Sequence, residues 1–198
     1  MKRSSPAALR NREPILAVLR DWLPATGTIL EIAAGTGEHA LHFAEALPDL
    51  AWQPTDPDPE ARASIAAYRE EEGSPNFRAP LALDVLAADW PLTHADAILA
   101  VNLVHISPPE ASTGLLAGAA RLLSPGAPLI LYGPWRVPGQ PLAPSNLAFD
   151  AALKERDSRY GLRDLAAFAE QARTHGFTLA ERRAMPANNL MLRFVRAS

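Results

Sequence analysis

The sequence predicts an α/β protein built on a doubly wound, mostly parallel sheet, and three observations predict it. Short apolar or β-branched runs recur at 28–33, 51–55, 77–83, 95–103 and 127–132. Between them lie longer segments whose apolar residues return at helical spacing. The first run turns on Gly35-Thr36-Gly37 into one of those helices. A glycine turn at the carboxyl end of a strand lets the backbone close on a ligand, and the helix after it offers free N–H groups.

Each element has a local cause. Residues 6–23 read as an amphipathic helix, with Leu9, Ile15, Leu16, Leu19 and Leu23 on one side. After the strand at 28–33, a helix over 37–47 is stopped by Pro48. The strand at 51–55 ends at Asp56, and a polar helix over 57–72 has proline at its start and Gly73 at its end. The strand at 77–83 ends at Asp84, and the nearly all-apolar run 95–103 suits a strand buried on both faces. A helix over 108–123 stops at Ser124-Pro125-Gly126, and one over 163–175 ends on Gly176. The last two runs, 178–183 and 190–196, are separated by only a few residues, which predicts an antiparallel hairpin and seven strands in all.

One segment breaks the alternation. Residues 133–161 carry Pro134, Pro138, Pro141 and Pro144, then a short helical stretch at 146–159. Insertions after strand carboxyl ends lie over the ligand crevice of such sheets, so 133–161 is expected to form a substrate lid on one domain spanning 1–198.

Composition narrows the function. The 198 residues include no cysteine, which excludes disulfides, thiolate metal sites and a cysteine nucleophile. A net charge of −3 with scattered Lys and Arg gives no nucleic-acid footprint. The basic start has no apolar run behind it, so no signal peptide is expected there. The longest uncharged runs fall short of the ~20 residues a membrane helix needs. The expectation is a soluble, cytoplasmic protein with a small-molecule substrate and no nucleic-acid or membrane partner. Oligomeric state is not legible.

The glycine turn, with Ala40 after it, also fits a dinucleotide fingerprint. Three acids say more. Glu31 lies inside the first strand, Asp56 ends the second and Asp84 ends the third. Asp56 is placed to accept two ribose hydroxyls, and Asp84 to accept an adenine amino group while the Val85 N–H meets a ring nitrogen. Glu31 would serve an ammonium, directly or through water and backbone. So acidic a crevice would repel a pyrophosphate, and it suits S-adenosylmethionine. The chain resembles the Rossmann-like class I methyltransferases in Glu31-x-x-x-Gly35-x-Gly37, Asp56, Leu83-Asp84-Val85, the strand ending at Asn102, and Leu123-Ser124-Pro125-Gly126.

A closer resemblance, over nearly the whole chain, is to the methyltransferase-like 26 (DUF938-type) family. It is carried by Ser5-Pro6-Ala7, Arg10-Asn11-Arg12, Asn102-x-x-His105-Ile106, Tyr132-Gly133-Pro134, Ser145-Asn146-x-x-Phe149-Asp150, Gly161-x-Arg163-Asp164 and Met185-Pro186-Ala187-Asn188-Asn189. It implies the class I fold and S-adenosylmethionine binding, and names no substrate.

On this reading Glu31, Gly35, Gly37, His39, Asp56, Asp84, Val85, Asn102 and Arg12 bind the cofactor, with Arg12 reaching its carboxylate. His105 is the first candidate for orienting or deprotonating the nucleophile and Asp150 the second. Tyr132, Trp135, Asn146 and Phe149 in or beside the lid, with Asn188 and Asn189, would line the substrate. Asn102-Leu103-Val104-His105 replaces the Asp/Asn-Pro-Pro-Tyr clamp of some relatives, which argues against methylation of a planar amine. His39 and His42 with Glu38 lack a third ligand, so no metal is expected. The expected reaction is in-line methyl transfer to a small polar molecule. An NAD(P)-dependent oxidoreductase and a non-catalytic cofactor-binding module are the alternatives, and the methylated atom stays open.

Overall fold

The computed structural model describes residues 1–197. Its elements run α1 (Pro6–Trp22), β1 (Gly27–Ile32), α2 (Glu38–Ala46), β2 (Leu50–Pro54), α3 (Pro59–Glu72), β3 (Ala97–Val101), α4 (Glu110–Leu122), β4 (Pro128–Gly133), α5 (Pro144–Arg156), α6 (Leu165–Thr174), β5 (Phe177–Met185) and β6 (Asn189–Arg196). The sheet order is β2-β1-β3-β4-β6-β5. The first four strands are parallel, while β6 runs antiparallel to both β4 and β5. This is a Rossmann-like arrangement with a closing antiparallel hairpin.

The strand side chains alternate between two cores, as period two requires. Leu30, Ile32, Ile98, Ala100, Leu129 and Leu131 face α4 and α6, where Leu115, Leu116 and Phe168 meet them. Ile29, Ala97, Leu99 and Ile130 face the other way, against Ile15 and Leu19 of α1, Phe43 of α2 and Ile65 of α3. With both faces covered, β1, β3 and β4 are continuous apolar runs rather than alternating ones.

The seventh strand is not formed, and two prolines explain it. Residues 77–83 do run parallel beside β2: Trp52 N–H donates to Asn76 O at 2.8 Å and Arg78 N–H to Trp52 O at 2.9 Å. The next two rungs of a parallel ladder would need N–H groups from Pro54 and Pro80, which have none. The Gln53 side chain donates to Ala79 O at 2.8 Å instead. Pairing resumes only at Leu81, whose N–H reaches Pro54 O at 3.2 Å. The other boundaries move by a few residues. β3 is shorter than expected because Asn102 takes a left-handed conformation, φ 60°, that ends it.

Among the described residues, no helix is long and apolar enough to cross a membrane.

Candidate active site

The glycine turn reverses the chain through Ala33 (φ 55°), Gly35 (φ 59°) and Gly37 (φ 93°) before α2 begins. Its two glycines serve different needs. A Cβ on Gly37 would press on Ile65 of α3 at 3.0 Å, while one on Gly35 would meet nothing within 4 Å. Gly35 therefore faces open space at the strand ends. Asp56 holds the turn from the neighbouring strand end: its Oδ2 accepts the Gly35 N–H and its Oδ1 the Asp58 N–H, both at 2.9 Å. The carboxylate is buried, and burial pushes its pKa up against the pull of those two N–H groups. Two N–H bonds use about half of a carboxylate's lone-pair sites, so capacity remains for two hydroxyls.

Glu31 lies elsewhere than expected. Its side chain is 1% exposed, turned beneath the turn, and accepts the Trp52 indole N–H at 2.7 Å. Burial pushes its pKa up to about 7. Its role at the turn is through the backbone, where its carbonyl accepts both the N–H and the hydroxyl of Thr55. The carboxylate lines neither of the two cavities at this end of the sheet, which leaves the backbone as its route to a ligand.

Two cavities flank the end of β3. The first, of about 250 Å³, is bounded by Asp56, Leu83, Asp84, Val85, Leu86, Ile106 and Pro108. Asp84 is exposed at its edge and caps its own loop by accepting the Leu86 N–H at 2.9 Å. Leu86 is 53% exposed there, an apolar surface without an intramolecular cover. The second cavity, of about 660 Å³, is bounded by Arg10 and Asn11 of α1, Asn102, Tyr132 at the end of β4, Asn146 and Phe149 of α5, and Asn189 of the β5–β6 hairpin. Leu103 lines one cavity and Asn102 the other, so the two open on consecutive residues.

Every non-glycine residue with a left-handed backbone among those described borders these spaces or the groove next to them. They are Ala33, Asn102, Ala187 and Asn188. Such conformations cost about 1–2 kcal/mol each for a residue with a Cβ, and they concentrate where a fold is shaped around a ligand.

Six further residues sit differently from the sequence expectation. His105 is fully buried and lines neither cavity. Its Nδ1 accepts the Arg163 backbone N–H at 3.3 Å, its ring packs edge-on against Trp135, and Gly133 lies against its Nε2 side. Burial, with the Arg163 charge, pushes its pKa down to about 3, so it is neutral and unavailable as a base at the crevice. Asp150 is buried and ties α5 to the segments on either side of it. Its Oδ2 accepts from Arg136 and Lys154, both at 2.6 Å, and its Oδ1 from Leu162 N–H at 2.8 Å. Its pKa is lowered: burial pushes up, but the bonds from Lys154 and Leu162 and the Arg136 charge outweigh it.

Arg12 faces away, toward Glu38, His42 and Glu45 of α2. Residues two apart on a helix point to nearly opposite sides, so Arg10 is the cation that fronts the larger cavity. Trp135 is a core residue between His105 and Phe168, and with Asn188 it lines the neighbouring groove rather than that cavity. His39 stands one layer behind, stacked on Phe43 and bonded to the Asn11 amide at 2.7 Å. Burial pushes its pKa down to about 4, which makes it a neutral prop for Asn11.

Arg163 carries more than the sequence reading gave it. Its guanidinium donates to the carbonyls of Val104, Ser107 and Arg159, fixing the loop that follows β3. The N-terminal segment was also underrated: Ser5 N–H bonds Glu38, and Arg3 N–H bonds Ser64, whose hydroxyl donates to Thr36 O in the turn. The prior signal was the family resemblance of Ser5 and Arg163; Arg3 and Ser64 carried none.

Residues 2–196 match the model of the family described as "Protein of unknown function (DUF938)". Among solved structures, the chain is similar to an O-methyltransferase family protein from Burkholderia thailandensis. Identity is 18%, TM-score 0.81, and 97% of this chain is covered against 58% of that one. The mitomycin 7-O-methyltransferase MmcR gives 17%, TM-score 0.82, 96% and 54%. Human N-acetylserotonin methyltransferase, solved in complex with SAM, gives 13%, TM-score 0.78, 97% and 53%. The chain spans little more than half the length of each, and at these identities the likeness is one of fold.

Proposed function

The chain belongs to the DUF938 family, and we propose that it is an S-adenosylmethionine-dependent methyltransferase acting on a small molecule. One observation carries the reading. A buried carboxylate, Asp56, braces the glycine turn and keeps acceptor capacity free beside a crevice that is apolar at Leu83, Val85 and Leu86, with an acid, Asp84, at its edge. A nucleoside is a flat apolar base with an exocyclic amine, joined to a diol. The Asp84 edge fits the amine, the exposed Leu86 surface fits the base, and Asp56 fits the diol. The similar fold of structures solved with SAM or SAH bound supports the same assignment.

When bound, the cofactor supplies a methyl group on a sulfonium, already activated for displacement. The protein's work is then to orient the nucleophile and exclude water. Asn102, at the junction of the two cavities, is placed to orient the amino-acid end. Tyr132 and Phe149 offer ring surface in the larger cavity. The 660 Å³ cavity under α5 is the acceptor site, and the Asp150 cluster keeps α5 seated over it as a lid. The chain is read as one domain.

Titration calorimetry with S-adenosylhomocysteine and with NAD tests the proposal. Binding of the first and not the second is expected. NAD binding without S-adenosylhomocysteine binding would replace this reading with an oxidoreductase. S-adenosylhomocysteine binding with no transfer of labelled methyl to any small molecule of a metabolite extract would leave a binding module.

A further inference from the structure

The acceptor cavity has an unusual charge inventory. Among the described residues lining it there is no aspartate, glutamate, lysine or histidine. Arg10 of α1 is its one full charge, and amides and hydroxyls supply the rest of its polarity. Asp56 and Asp84 line the neighbouring cavity instead, and three further acids are committed to partners of their own. Glu31 takes the Trp52 indole, Glu38 takes Ser5 N–H and the Thr36 hydroxyl, and Asp150 takes Arg136 and Lys154. The amino end of α5, at Ser145 and Asn146, opens on the same space and adds partial positive charge.

We propose that this cavity takes an anionic acceptor, an organic acid or acidic thiol whose nucleophilic oxygen or sulfur is ionised before it binds. This rests on the methyl-transfer reading and deepens it. An ammonium acceptor would meet Arg10 with no carboxylate to balance it. An alcohol would have to lose a proton, and no lining side chain is suited to take one: Tyr132 is the one titratable hydroxyl there, and burial pushes its pKa up. An ionised acceptor needs neither service. Its lone pair forms the new bond to the methyl carbon as the carbon–sulfur bond breaks, the electron pair of that bond goes to sulfur, and no proton has to be placed. A carboxylate leaves as its methyl ester and a thiolate as its methyl thioether. The ring surfaces of Tyr132 and Phe149 fit an aromatic or apolar body behind the charged group.

The test uses the full chain and three matched probes, benzoate, benzyl alcohol and benzylamine, titrated with and without saturating S-adenosylhomocysteine. On the S-adenosylhomocysteine-bound protein benzoate should bind at least about tenfold more tightly than either of the others. Arg10→Gln should shrink that preference to within about threefold, and Arg10→Lys should keep most of it. Arg10 is exposed, so both variants should fold, and their melting curves check this. Benzylamine binding as well as benzoate, or no benzoate binding at about 10 mM, overturns the proposal. So does a benzoate preference that vanishes once S-adenosylhomocysteine is bound, because Arg10 then serves the cofactor's carboxylate. Failure of S-adenosylhomocysteine to bind at all would instead sink the methyl-transfer reading, and the charge preference would still be read on the free protein.

Discussion

The Glu31 carboxylate accepts the Trp52 indole N–H at 2.7 Å, sealed beneath the glycine turn at the joint between β1 and β2. An acid this deep is costly to ionise, and burial outweighs the indole bond in pushing its pKa up to about 7. The pairing makes the turn's foundation sensitive to pH.

In the unfolded chain Glu31 ionises near 4.5. Between that value and about 7 the folded protein therefore binds more protons than the unfolded one. The stability this protonation contributes is fully present below about pH 4.5 and is lost as pH rises through about 7. Glu31→Gln removes the dependence. Relative to wild type, the variant should be more stable at pH 8 than at pH 5 by about 1–3 kcal/mol. Urea melts of both proteins at the two pH values measure this. An unchanged difference between them would show that Glu31 is not held as described.

Asp56 has two roles that one substitution separates. Asp56→Ala leaves the Gly35 and Asp58 N–H groups without their acceptors, which should cost about 1–3 kcal/mol of stability. S-adenosylhomocysteine affinity should fall about tenfold or more, since hydrogen bonds to a charged acceptor are among the stronger ones. Calorimetry on the folded variant gives the second number. Affinity within about a factor of two of wild type would mean that Asp56 serves the turn alone.

His105 should behave as a neutral core residue. Its pKa is pushed down to about 3, below the ordinary 6.5, so its contribution to stability is present above about 6.5 and is lost as pH falls toward 3. Its imidazole carbon resonances should not titrate between pH 8 and 4.5. A midpoint near 6.5 would return it to the list of candidate bases. Catalysis, once an acceptor is in hand, should show no ionisation belonging to this ring.

Gly133 and His105 should prove coupled. A Cβ on Gly133 would lie 2.6 Å from His105 Cδ2 and 2.7 Å from Nε2. Gly133→Ala should therefore destabilise by about 1–3 kcal/mol through overpacking. In the His105→Ala background the same change should cost much less, which gives an interaction energy of about 1 kcal/mol or more. Additive melts would mean that the two residues do not touch in solution.

Much of this was readable in sequence because it depends on near neighbours. The Gly35–Gly37 turn, the proline and glycine stops and the order of strand and helix follow from backbone sterics and short-range periodicity. Asp56 could be placed just past a strand end because strands end where apolar runs end; Asp84 follows a run that lies beside β2 without forming a regular strand. The seventh strand failed on Pro54 and Pro80, two residues in plain view whose effect appears only when the two segments are laid side by side and the missing N–H groups fall on consecutive rungs.

Which way the side chains point was a different matter. Glu31, His105 and Asp150 are the residue types chemistry uses, at positions beside a crevice, and each is turned into the protein. The sequence by itself determined the alternation of elements, the turn and the acid just past the end of β2, since these rest on local conformational preference. The tertiary structure alone decided that Trp52 takes Glu31, that Arg136 and Lys154 take Asp150, that Arg163 and Trp135 enclose His105, and that Arg10 rather than Arg12 fronts the cavity. The partners of Glu31 and His105 lie 21 or more residues away in the chain, Asp150 is shared between a helix neighbour four residues on and an arginine 14 residues back, and Arg10 faces the cavity through the rotation of its helix about its axis.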